Sequence, residues 1–204
     1  MGLVKKAAAE APAEDRRDAG RDPEGLLAQL RSADPEERRR AALDLAGVAE
    51  AVPALLTAAR AEQQPTVRDA VLTTLAAHDL PEVARELAGW LGDDDAARRN
   101  AAVVTLQAMP TGAAAVLDDL LVTGDARVRT LAVMVISALV HPGVPDWLEA
   151  VVDADPDENV VAAAVDTAQQ LEDDLARQLA TAAAARFPAN PYLQFLATLA
   201  AGAR

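Results

Sequence analysis

Asp34-Pro35-Glu36-Glu37-Arg38 is the stretch on which the reading of this chain turns, because it returns along the sequence. An acidic or amide residue, often followed by Pro, precedes by four positions an Arg. The pattern recurs as Gln64-Pro65-Thr66-Val67-Arg68, Asp95-Ala96-Ala97-Arg98-Arg99 and Asp125-Ala126-Arg127-Val128-Arg129. A fifth copy, Asp155-Pro156-Asp157-Glu158-Asn159, carries Asn in the place of Arg. The copies follow one another at about 30 residues, the period of a stacked helical repeat.

Counted from each Arg, the other positions keep step. Three residues on stand Ala41, Val71, Ala102, Ala132 and Ala162; seven on stand Leu45, Leu75, Leu106, Ile136 and Asp166. Twelve residues before come Leu26, Leu56, Leu87, Leu117 and Trp147. Each unit therefore reads as two amphipathic helices joined by a turn. An Asp before Pro caps the second helix: its carboxylate accepts orphan backbone N–H groups, and Pro at the first helical position gives up an N–H that would be unpaired anyway. This predicts second helices starting at Pro35, Pro65, Ala96, Ala126 and Pro156. Neither helix of a pair can bury its stripe alone, so the units are expected to stack as an α-solenoid. A divergent pair follows, Asp173 to Phe187 and Tyr192 to about Ala201, with Asn190-Pro191 repeating the cap. Residues 1–21, without apolar period, read as a flexible segment before a repeat domain over 22–204. Met1-Gly2-Leu3-Val4-Lys5-Lys6 is a candidate tethered recognition segment.

The composition agrees. Of 204 residues, 50 are Ala and 26 Leu, against five aromatics. Small apolar and charged helix formers dominate, and a sheet would want more β-branched and aromatic residues. There is no cysteine, which excludes disulfides and thiolate chemistry and fits a reducing cytoplasm. No apolar run suggests a membrane span or a secretory signal. The net charge of −13, concentrated in residues 103–174, disfavours nucleic acid.

Helix pairs of this length with a D-P-x-V-R opening resemble HEAT repeats, in particular the short bacterial variety named after phycobiliprotein lyases. Val67-Arg68 and Val128-Arg129 match the V-R dipeptide; Glu37-Arg38 and Arg98-Arg99 match its Arg alone. The resemblance runs from about residue 22 to 172. It implies an all-α solenoid and a binding surface rather than a particular chemistry.

Candidate chemistry is sparse. Arg38, Arg68, Arg99 and Arg129 lie on the stripe facing neighbouring units, where a ladder of hydrogen bonds to carboxylates or carbonyls is expected. Asn159 would interrupt it and loosen the fifth unit. Arg38-Arg39-Arg40 reads as a solvated face with local ion pairs. His78 and His141, read as helix ends, form no His-Glu pair, so the metal chemistry of the HEAT enzyme deoxyhypusine hydroxylase is not expected. Asp93-Asp94-Asp95, Asp118-Asp119 and Glu172-Asp173-Asp174 lack the ligand spacing of a calcium loop and read as caps and solvated charge. No cofactor, metal or catalytic residue is expected.

The binding strip is expected on the outer face of the second helices, the concave side of such a solenoid, one, five and eight positions after each Arg. The candidates are Asn100, Val104, Gln107, Thr130, Met134, Ser137, Val160 and Thr167. This strip is neutral between acidic first helices, which suits a protein or peptide segment, one with a basic flank. The leading expectation is a non-catalytic adaptor or scaffold. The alternative is a bilin lyase-like subunit or chromophore chaperone, for which Trp147, Tyr192, His78 and His141 are the residues able to meet a tetrapyrrole.

Overall fold

A computed structural model describes residues 22–171 and 173–202. The tail at 1–21 and its recognition segment 1–6 lie outside the described residues. Among those described, the secondary structure is helical, with no strand. The helices are α1 (Pro23–Gln29), α2 (Pro35–Asp44), α3 (Val52–Ala61), α4 (Pro65–His78), α5 (Pro81–Trp90) and α6 (Ala96–Gln107). They continue as α7 (Pro110–Leu121), α8 (Ala126–Ile136), α9 (Val144–Ala154), α10 (Glu158–Ala168), α11 (Asp173–Arg186) and α12 (Pro191–Gly202). A short 3-10 turn, Ala49–Ala51, leads into α3.

Four of the five expected second helices begin where the repeat places them. Asp34, Asp95 and Asp125 accept the backbone N–H two residues on, at 3.0, 2.8 and 2.8 Å. The fifth is corrected. α10 starts at Glu158 and its cap is Asp157, which accepts from the Asn159 N–H at 2.8 Å. Asp155 is engaged elsewhere, since its carboxylate takes the guanidinium of Arg129. The register of the fifth unit therefore slips by two residues. Val161, not Asn159, stands at the Arg position, and it is buried. Ala164 and Ala168 occupy the core positions that spacing alone assigned to Ala162 and Asp166.

The chain forms two compact units, divided between Thr74 and Leu75 within α4. In the first, α1 pairs with α2. Thr74 Oγ1 donates to the Ala42 carbonyl at 2.8 Å, tying α4 to α2. Leu45 and Leu55 are fully buried there.

In the second unit, α5 packs on α6, α7 on α8, α9 on α10 and α11 on α12. Helices of like position also meet: α5 with α7, α9 with α11, and α6 with α8, α8 with α10, α10 with α12. That is the arrangement of stacked helix pairs. Ala102, Ala132 and Ala164, all fully buried, let successive second helices approach closely, while Leu106 and Ile136 fill the core between them. Burying each such Leu or Ile contributes about 1.5–3 kcal/mol. On α12, Gln194, Thr198 and Ala201 are exposed and Ala197 is half-buried.

One first helix is capped from the preceding repeat. α7 has no cap of its own, and the Asp79 carboxylate accepts the N–H groups of Thr111 (3.0 Å) and Gly112 (2.7 Å). To do so Asp79 holds a left-handed backbone at φ +45. A side chain at Gly112 would press on the Leu80 carbonyl at 3.1 Å and the Asp79 carboxylate at 3.2 Å.

Candidate functional site

The exposed strip of the second helices is built by periodicity. On an α-helix, positions one, five and eight after the Arg share the face opposite the buried one. Asn100 and Val104 are exposed, Val104 at 56%, with Gln107 half-buried beside them on α6. On α8, Met134 is 45% exposed between half-buried Thr130 and Ser137. The two helices are joined at this surface: the Met134 carbonyl accepts from Gln107 Nε2 (2.7 Å) and from Ser137 Oγ (2.8 Å).

Val160 and Thr167 do not belong to the strip. They are 0% and 5% exposed, because the two-residue slip of α10 turns them into the core. The same slip brings Ala162, Asp166 and Gln169 to the surface in their place. Spacing concealed this, since Asp155-Pro156 and Asp157-Glu158 are both plausible helix starts.

The strip then continues onto α12, beyond the residues that sequence reasoning selected. Counting from the Asn190 cap, Phe195 and Leu199 take the strip positions, and they are 58% and 52% exposed. The signal was available: Asn190-Pro191 marks the same register as Asp34-Pro35. Tyr192 donates its hydroxyl to Asp166, with both carboxylate oxygens at 2.8 and 3.0 Å, linking α12 to α10. That hydroxyl bond to Asp166, together with burial and the carboxylate charge, raises the Tyr192 pKa above the ordinary phenol value. Across α6, α8, α10 and α12 the strip thus offers Val104, Met134, Phe195 and Leu199, with Asp166 as its charge. The first helices show water another surface: Glu82, Asp118, Asp119, Asp146, Asp153 and Asp173 are all exposed.

The arginines divide. Arg129 meets Asp155 through Nε (2.7 Å) and Nη2 (3.0 Å), and Nη1 reaches the Thr123 carbonyl at 2.8 Å. Arg38 repeats this with Glu62, at 2.8 and 3.0 Å, and with the Ser32 carbonyl at 2.9 Å. In each case the acid stands two residues before the next cap and also accepts the N–H of that cap residue, at 2.8 Å for Asp157 and 2.9 Å for Gln64. Among the described residues, Arg99 bonds the carbonyls of its own turn, Asp93 and Asp94, at 2.8 and 2.9 Å. The matching position in the following turn is Thr123, which has no carboxylate to offer. Arg68 Nε is buried without a hydrogen-bond partner among the described residues, as is Nε2 of His78.

Two clefts of about 530 Å³ repeat each other, one in each unit. Leu30, Ser32, Ala58 and Glu62 line one; Leu121, Thr123, Val151 and Asp155 take the same repeat positions in the other. The acid of an Arg–carboxylate pair lies in each, with its hydrogen bonds already made.

His141 and Trp147 stack with ring centroids 5.0 Å apart, so two of the four residues considered for a tetrapyrrole do meet. Both are occupied structurally. His141 Nδ1 accepts the Gly143 N–H at 3.0 Å, and the Trp147 indole N–H donates to Asp118 at 2.8 Å. His141 lies past the end of α8 in the loop before α9, not on a helix end as its sequence position implied. Among the described residues no group of three or more His, Asp or Glu is placed to hold a metal ion, and no helix is long and apolar enough to cross a membrane.

No curated protein matches this chain. Among solved structures, the complex of CpcE and CpcF of phycocyanin lyase from Nostoc sp. PCC7120 is similar at 17% identity. That match covers 98% of this chain and 99% of the other, with a TM-score of 0.39, too loose a superposition to bear on function. The family model for HEAT repeats matches residues 23–107, the span of α1 to α6. Over that stretch, with its repeated capped helix pairs, the chain is similar to HEAT repeats.

Proposed function

We propose that this protein is a non-catalytic adaptor of a bacterial cytoplasm, which holds a segment of another protein against the exposed strip of α6, α8, α10 and α12. HEAT repeats point to a protein-interaction scaffold. The observation that carries the finer reading is the placement of large apolar side chains. Val104, Met134, Phe195 and Leu199 are all strongly exposed, and all sit at strip positions. Isolated exposed apolar residues are ordinary, whereas their recurrence at the outer positions of successive second helices supports a surface for a partner. The acidic first helices, on another surface, add a negative field that favours a segment with basic flanks.

Val104→Asp and Met134→Asp place charges on the strip without touching the core. Capture of the native partner from lysate is expected to be lost in both, with the far-ultraviolet helical signal unchanged. Undiminished capture by both variants overturns the strip. The lyase-like alternative predicts an absorbance shift on titrating a bilin into the protein; an unchanged spectrum is expected.

A further inference from the structure

α12 carries two apolar faces, and one of them is open. Leu193 and Leu196 are buried, where α12 packs on α11. Tyr192, Phe195 and Leu199, at i, i+3 and i+7, fall within an arc of about 60° on the adjoining face. All three are exposed, Tyr192 at 46%. They form a stripe about 10.5 Å long. Among the described residues, α12 is the one helix without a charged side chain.

Charge stands at the ends of the stripe instead. At its first turn the Tyr192 hydroxyl donates to Asp166 at 2.8 Å, which sets that carboxylate beside the start of α12. At its last turn Leu199 lines a cleft with Gln169, Asp173 and Arg177. Arg177 is already paired with Asp174 at 2.7 Å, which leaves the charge of Asp173 unbalanced among the described residues.

Such a stripe favours a helix over an extended segment as its occupant. An extended chain brings backbone N–H and C=O groups that need partners. α12 uses its own along its length, and the one polar group of the stripe, the Tyr192 hydroxyl, already donates to Asp166. A helix satisfies its backbone internally and packs on another helix through apolar residues at the same spacing.

Resting on the adaptor reading above, we propose that the partner segment docks on α12 as an amphipathic helix. Its apolar residues, at i, i+3 and i+7, pack on Tyr192, Phe195 and Leu199. Lys or Arg just beyond each end of that stripe meets Asp166 or Asp173.

The test uses the full chain and a fluorescent peptide, Lys-Lys-Ala-Leu-Gln-Ala-Leu-Gln-Gln-Ala-Leu-Gln-Ala-Lys-Lys. Salt at about 0.15 M screens charges more than about 8 Å away. Two comparison peptides change one property each: Glu replaces every Lys in one, and Pro replaces the central Gln in the other. Anisotropy titration is expected to show the Lys peptide binding at least about tenfold more tightly than either. Phe195→Asp is expected to abolish that binding at an unchanged melting temperature. Because it adds negative charge, an association that is only electrostatic survives it. Asp166→Asn with Asp173→Asn is expected to cut the preference for Lys over Glu at least about threefold. Val104→Asp and Met134→Asp lie on other helices and are expected to leave peptide binding unchanged.

No binding of the Lys peptide, binding that survives Phe195→Asp, equal binding of the Pro peptide, or a preference untouched by the two Asn changes overturns the proposal. So does a dimer of the full chain, seen by light scattering, that Phe195→Asp dissolves, since the stripe then belongs to a second copy. The adaptor reading fails separately: it falls with undiminished capture of the native partner in both Val104→Asp and Met134→Asp, whatever the peptides do.

Discussion

Arg129 and Asp155 meet through two parallel hydrogen bonds, 2.7 and 3.0 Å, at residue exposures of 7% and 5%. The pair joins the start of α8 to the turn before α10, and Asp155 also caps that turn through the Asp157 N–H. It was this engagement that pushed the start of α10 two residues on. Its backbone carbonyl receives Arg186 of α11 at 2.9 Å, so three successive helix pairs converge on one residue.

Asp155→Ala leaves the Arg129 guanidinium buried and uncompensated. Such a loss costs about 3–5 kcal/mol. Urea denaturation is expected to show a drop of that size, and a variant replacing both residues by apolar ones of like volume is expected to recover most of it.

Arg99 lacks the acid that Arg38 and Arg129 have, because Thr123 stands where Glu62 and Asp155 stand. Thr123→Glu is expected to complete the pair and raise stability by about 1 kcal/mol, the scale of a favourable hydrogen-bonded ion pair short of full burial. The gain should vanish in an Arg99→Leu background, read as a double-mutant cycle of thermal midpoints.

The first unit is expected to weaken in acid through Glu62. Its carboxyl is held below the ordinary range chiefly by the Arg38 hydrogen bonds, helped by the N–H groups of Gln64 and Gln63 and opposed by burial. A depressed folded-state pKa contributes stability that is complete above the ordinary glutamate value and is lost as the pH falls through the lowered one. Denaturant midpoints from pH 7 to pH 3 should fall through that window, and more gently in Glu62→Gln, which has nothing there to titrate.

Asp79 separates two costs. Asp79→Ala removes the cap of α7 and leaves a non-Gly residue at φ +45; the cap alone contributes about 0.5–2 kcal/mol and the left-handed backbone about 1–2 kcal/mol. Asp79→Gly removes the cap but relieves the backbone, so it is expected to be the milder change. Differential scanning calorimetry ranks them, and the reverse order would show that the left-handed backbone at this position carries no strain. Gly112→Ala is expected to destabilise as well, by crowding the carbonyl of Leu80 and the Asp79 carboxylate.

How much was legible can be judged at particular residues. Asp34, Asp95 and Asp125 were readable as caps because capping is local: the carboxylate, the Pro or Ala after it and the N–H it accepts lie within three residues. Leu106 and Ile136 were readable as core and Val104 and Met134 as surface, since helical periodicity sorts faces without knowledge of what packs against them. Val160 and Thr167 were misplaced because two adjacent start signals, Asp155-Pro156 and Asp157-Glu158, differ by two residues, which is more than half a helical turn.

The sequence by itself determined the repeat, the helix pairs and which face of most helices is buried, because cap chemistry and 3.6-residue periodicity are properties of a single segment. The tertiary structure alone decided which of two acids starts α10, which arginines find a carboxylate and that Asp79 caps a helix one repeat away. Each of those depends on where a side chain from another repeat comes to lie. The strip shows both at work. Periodicity placed Val104 and Met134 on the open face, and packing turned Val160 and Thr167 into the core.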